Sequence, residues 1–203
     1  MSTLKKELED LVSIFNVEEL FCKLEELKPG HRDRAEEIIR TFCYSNEALY
    51  IDMIILNRYM NLGEVFFPDL ILKFDFLSED EERLLGNHPG LGACIAEKIG
   101  EIGLIDEEMI RAILCHHENW DGSGVVGLKE DRIPLIVRIV TPIDFYVSLT
   151  SDSPSLKAFS KKRAIKEIIN QSGRMFDPNL IVGIIKAINT PPPICLRSKA
   201  FDC

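Results

Sequence analysis

A chain of 203 residues with 46% hydrophobic and 28% charged side chains can bury a core, which excludes a disordered or membrane-embedded protein. Its formal net charge of −9 excludes nonspecific attraction to nucleic acid or to an anionic membrane, because both need a surplus of Lys and Arg. The opening MSTLKKELED lacks the apolar run of a secretory signal, and Cys22, Cys43, Cys94, Cys115, Cys195 and Cys203 show no CxxC spacing, so reduced thiols and a cytoplasmic location are expected.

Leu4, Leu8, Leu11, Val12 and Phe15 recur at the spacing of a helical apolar stripe, which Lys28-Pro29-Gly30 then breaks. That stripe can pack on its own domain, or pair with a second copy or another protein. It is too short for a receiver or sensor domain. HRDRAEEIIRTFCYSNEALYIDMIILNRYMNLGE predicts two helices, the second apolar enough to be buried. FFPDLILKFDF reads as irregular with a short embedded helix. Ser78 and Glu81 form a capping box that opens a helix to Leu85, and Pro89 suits the first turn of the next, HPGLGACIAEKIGEIG.

A helix from Asp106 to His117 meets the turn WDGSGVVG. RIPLIVRIVTPIDFYVSLTSD is helical, with a kink expected at Pro142. SKKRAIKEIINQSGRMF and PNLIVGIIKAIN are the last helices, parted by Gly173 and Asp177-Pro178. Strand-type alternation is nowhere sustained. The expected fold is all-α, with an N-terminal helical segment over residues 1–28, one domain over 29–190 and a Pro-rich tail over 191–203.

The four histidines, His31, His88, His116 and His117, each fall at or near a helix end. Neutral imidazole is a common ligand for zinc, iron, manganese and nickel, provided the ligands converge from several elements. Adjacent histidines on a helix point about 100° apart, so both reach one ion only where the helix end borders a concave site. The plainer reading of each is a surface or a satisfied core residue. Trp120 reads as a packing anchor, Arg138 as the partner of a carboxylate within the bundle, and Cys115 as buried or as a soft ligand.

FFPDLILKFDFLSEDE, NHPGLG, HHENWDGSG, GLKEDRIPLIVRI, DFYVSLTSD and GRMFDPNLI stand in the order and spacing of one family, apart from a one-residue deletion after Gly124. From about Phe66 to Ile188 the chain resembles the HD-GYP family, the cyclic di-GMP phosphodiesterase branch of the HD phosphohydrolases; HRDR resembles its early His-x-x-Arg element. The resemblance implies an HD-domain-like helical bundle with metal ligands at His31, His88, His116, His117 and Asp144.

The same register puts the family's His-Asp pair on Met60 and Asn61, the lysine of HD-x-G-K on Glu64, and the Arg and Tyr of SDRPYR on Ser153 and Ser155. The GYP triplet reads Gly124-Val125-Val126. A thioether prefers soft Cu(I), an amide brings no charge to bridge two dications, and Glu64 repels phosphate. The expectation is a degenerate HD-GYP-type domain without normal cyclic di-GMP phosphodiesterase activity. It would be a regulatory or interaction module, with a protein partner in cyclic di-GMP signalling or a second copy of itself, and with no nucleic acid or membrane.

The alternative is a mononuclear phosphohydrolase or phosphodiesterase acting on a nucleotide or cyclic dinucleotide. It would hold one divalent ion (Fe, Mn or Zn) on His88, His116 and His117, with Asn61 lending an amide oxygen and Glu118 or Asp121 orienting an imidazole. A third option is a non-hydrolysing cyclic dinucleotide sensor, which the altered cations disfavour.

Overall fold

A computed structural model describes residues 16–43, 46–68, 77–100, 105–152 and 157–191. Among these residues every regular element is helical, and an isolated bridge joins Ser172 to Phe176. The helices are α1 (Val17–Leu27), α2 (His31–Phe42), α3 (Glu47–Tyr59), a 3-10 helix (Leu62–Phe66), α4 (Glu79–Leu85), α5 (His88–Gly100), α6 (Glu107–Leu114), α7 (Leu135–Leu149), α8 (Lys161–Asn170) and α9 (Ile181–Asn189). The expected all-α bundle is therefore the fold. The stripe from Leu4 to Phe15, residues 69–76 of the irregular stretch, Ser153, Ser155 and the tail beyond residue 191 lie outside the described residues.

Local chemistry starts several helices. Asn16 accepts from the Glu18 N–H, Asn46 from that of Leu49, and Asp106 from that of Met109, at 2.8 to 3.1 Å. Each satisfies one orphan donor of a first turn. Ser78 and Glu81 cap α4 reciprocally: the Glu81 N–H donates to Ser78 Oγ at 3.3 Å, and the Ser78 N–H donates to the Glu81 carboxylate at 2.9 Å.

Helix α2 packs on α3, α7 and α9, and α7 buries Val137, Ile139, Val140, Pro142, Ile143, Tyr146 and Val147. One continuous helix runs through Pro142. Helix α1 buries Leu20, Phe21 and Leu24 in the same core and lies against the 3-10 helix, so residues 17–27 are built into the domain that the sequence reading began at residue 29.

Gly63 decides how closely the 3-10 helix approaches α5. A Cβ there would strike the His88 carbonyl oxygen and lie 2.9 Å from the Gly92 nitrogen. That close approach sets the first turn of α5, and His88 with it, against the segment carrying Asn61 and Glu64. No described helix is long and apolar enough to cross a membrane.

Candidate metal centre

Helix α6 ends at Leu114, three residues earlier than its sequence suggests. The Cys115 N–H donates to the Arg111 and Ala112 carbonyls, and the Glu118 N–H donates back to the Cys115 carbonyl at 2.9 Å. His116 and His117 thus lie in a turn, where the angular offset of neighbouring helical residues no longer applies. Their ring centroids are 4.3 Å apart. His88, the first residue of α5, comes from the opposite side: its Nε2 is 3.0 Å from that of His116 and 3.2 Å from that of His117. Thr141 on α7 fixes the turn by donating to the His116 carbonyl at 3.0 Å.

The protons on two of these rings follow from their partners. His88 Nδ1 is 2.9 Å from the Leu85 carbonyl, and His116 Nδ1 is 2.7 Å from the Ile113 carbonyl. A carbonyl only accepts, so both Nδ1 atoms carry hydrogen, and in a neutral ring each Nε2 then presents a lone pair. Two lone pairs 3.0 Å apart repel unless a cation lies between them. Nitrogens each about 2 Å from a common ion stand about 3 Å from one another. Orientation of imidazole ligands by carbonyls is how proteins fix the metal-binding tautomer. The donor set fits a divalent transition metal, and among the described residues it is the group of His, Cys, Asp or Glu donors that converges within 4.8 Å.

Burial lowers all three rings. His88 is pushed down to about 4, against the pull of the Leu85 carbonyl, and His116 falls well below the usual range through burial and then its two neighbours. His117 also falls to about 4, through burial of its inner face and then the nearby His88, although the residue as a whole is exposed at the outer edge. All three are therefore neutral, and ready to ligate, near pH 7.

An unfolded histidine titrates near 6.5. Between that value and about 4 the unfolded chain binds more protons than the fold, so stability rises with pH across this window and is lost as pH falls through it. Thermal denaturation in excess chelator from pH 8 to 4 should show Tm falling most steeply there. A flat Tm over the window would contradict neutral buried rings.

His31 and Asp144 form a separate arrangement beside the triad. His31 Nε2 is 3.1 Å from Asp144 Oδ1, and the Asn61 amide donates to the same oxygen at 2.8 Å. Asn61 thus turns its NH2 group toward the carboxylate. Met60, with 1% of its surface exposed, closes α3 within the apolar core. Burial lowers the His31 pKa, with Asp144 opposing.

Glu64 is buried but is not the bare anion its sequence position suggests. Lys28 Nζ lies 2.8 Å from its Oε1 and 2.6 Å from its Oε2. Burial acts to lower the Lys28 pKa, but the charges of Glu64 and Asp144 outweigh it and raise the value, so the ammonium stays charged. The sequence reading used Lys28 only as part of a helix break and missed this pair.

Glu118 and Asp121 do not orient an imidazole. Buried Glu118 accepts from the Val126 and Leu128 N–H groups at 2.6 and 2.5 Å and so tethers the glycine turn, while Asp121 accepts from the Ser123 N–H. The carbonyls of Leu85 and Ile113 orient the rings instead. Gly124 permits this tether, since a Cβ there would lie 2.6 Å from Glu118 Cα. Arg138 binds Asp131 and Asp177 at 2.8 and 2.9 Å, with its guanidinium over Trp120. Burial pushes the Cys115 thiol up, and its sulfur is not among the converging donors.

A family model described as HD domain matches residues 18–180. The chain belongs to the HD-domain family. Curated relatives of this HD domain include the cyclic di-GMP phosphodiesterase response regulator RpfG of Xanthomonas campestris, 31% identical over 137 residues, covering 66% of this chain and 36% of the relative. A cyclic di-GMP phosphodiesterase of Thermotoga maritima is 30% identical over 145 residues, covering 70% and 39%. The HD domain therefore spans little more than a third of the length of these relatives.

Among solved structures, the HDG"Y"P protein Bd1817 of Bdellovibrio bacteriovorus superposes with a TM-score of 0.64 at 17% identity, covering 92% of this chain and 62% of that one. A cyclic GMP-AMP specific phosphodiesterase of V. cholerae gives 0.61 at 19%, covering 85% and 47%. At such identities these two establish the fold.

Proposed function

We propose that this HD domain is a metal-dependent phosphodiesterase that works with a single ion on a cyclic dinucleotide. The convergence of three imidazole Nε2 atoms, two of them committed to the lone-pair tautomer by backbone carbonyls, carries this reading. The named activity of the curated relatives supports the substrate class. His88, His116 and His117 would hold the ion, and imidazole donors suit Fe, Mn or Zn. Such an ion supplies Lewis acidity toward a phosphoryl oxygen and makes water a competent nucleophile near neutral pH. Asp144, held through Oδ1 by Asn61 and His31, is the carboxylate that would take a proton from an attacking water.

A second reading, an interaction module without turnover, is favoured by one feature. Buried Met60, and Asn61 engaged as a donor to Asp144, stand where the related enzymes' pattern calls for an imidazole and a bridging carboxylate.

Assay of the chain loaded with Mn2+, Fe2+ or Zn2+ against cyclic di-GMP and its linear dinucleotide separates the two. Slow hydrolysis proportional to bound ion is expected. Full loading with no turnover on either substrate would favour the interaction module.

A further inference from the structure

Lys28 caps the C-terminus of α1, and Gly30, at a left-handed φ of 66°, turns the chain from there into α2. The Lys28 side chain keeps 23% of its surface open, against 10% for Glu64 beneath it. A small cleft beside it is lined by Leu24, Glu25, Lys28, His31, Arg32, Asn57 and Asn61, two cations against one carboxylate. Among the influences on His31, His88, His116 and His117, the charge of Lys28 is a minor one, acting to lower each. Stability alone gives little reason for this placement, because a charge pair at a half-buried site loses in desolvation much of what it gains by attraction.

We propose that Lys28 binds the substrate's phosphate, with Glu64 holding the ammonium at the rim of the imidazole cluster until a phosphate oxygen takes the carboxylate's place. This rests on the phosphodiesterase reading above. A lysine ammonium is a compact point charge with three rotatable donors, so it can exchange one oxyanion for another with little movement of its stem. Arg32 lines the same cleft, 3.9 Å from Glu25 and with its guanidinium over the Phe21 ring, and is a second cation there.

The consequences run in opposite directions for metal and phosphate. Lys28 opposes a dication at the imidazoles and attracts an anion, so Lys28→Met should tighten one and weaken the other. A lysine that merely braced α1 against the 3-10 helix would, on removal, weaken both.

The test uses the full chain, with Mn2+ as the metal and inorganic phosphate as the anion, each binding measured by calorimetry. Lys28→Met is expected to weaken phosphate binding to the Mn2+-loaded protein by roughly tenfold or more while Mn2+ binds more tightly. Lys28→Arg should retain phosphate, and Glu64→Gln, which removes the competing carboxylate, should strengthen it. Unchanged phosphate affinity in Lys28→Met, or parallel loss of Mn2+ and phosphate, would overturn the role of Lys28 while leaving the phosphodiesterase reading intact. Failure of the unaltered chain to bind Mn2+ would overturn that reading and this role together.

Discussion

His116→Ala should abolish the stabilisation that a divalent ion gives this protein. His116 is the most enclosed of the three converging imidazoles, and the Ile113 carbonyl fixes its Nδ1. Removing it leaves two ligands, one of them at the exposed edge. Loss of a group that merely orients a ligand costs 10–100-fold in metal affinity, so loss of the ligand itself should cost on the order of a hundredfold or more. An ion at a hundred times its Kd stabilises a fold by about 2.7 kcal/mol, or roughly 5–10 °C in Tm at this chain length.

The unaltered protein should therefore gain Tm on addition of Mn2+ or Zn2+, and His116→Ala should gain almost none. In chelator the variant should lose less stability than a buried truncation ordinarily does, because the opposed lone pairs of His88 and His116 disappear with the ring. An equal metal-induced gain in both proteins, read by differential scanning calorimetry, would contradict the site.

The paired substitution Met60→His with Asn61→Asp should convert the centre from one ion to two. Asn61 now donates to Asp144 Oδ1 at 2.8 Å, and an aspartate in its place sets carboxylate against carboxylate. Like charges at that distance demand a proton or a cation between them. Met60 is buried in apolar surroundings, so a histidine there adds an unsatisfied polar ring unless it, too, ligates. Without metal the double variant should lose several kcal/mol, about 2–5 by the usual cost of unpaired buried polar groups and charges. With excess Mn2+ it should recover most of that loss and bind two ions per chain. One ion per chain at saturation would show that the change at positions 60 and 61 is not what sets the metal count.

Much of the scaffold was legible because its signals are local. Ser78 with Glu81, and Asp106, announce helix starts through contacts within three residues of themselves. Of the candidate ligands that the family register names, His88, His116 and His117 meet as a set, while His31 and Asp144 pair with each other.

What escaped the sequence was decided by contacts across space. The early end of α6 depends on Cys115 sharing its N–H between two carbonyls and on Thr141 holding His116 from α7, 25 residues away. Periodicity simply carried that helix on to His117. Lys28 reaches Glu64 across 36 residues and pairs the buried carboxylate with an ammonium. Glu118, next to the histidine pair, read naturally as a partner of imidazole. The close approach at Gly124 draws the turn over it instead, and its oxygens take the N–H groups of Val126 and Leu128.

Counting metal in the purified chain tests the central claim most directly, by elemental analysis after saturation with Mn2+ or Zn2+ and by anomalous scattering to locate the ion. One ion per chain, bounded by His88, His116 and His117, is the expected result. Two ions with Asp144 shared between them, or none at saturating concentration, would contradict it.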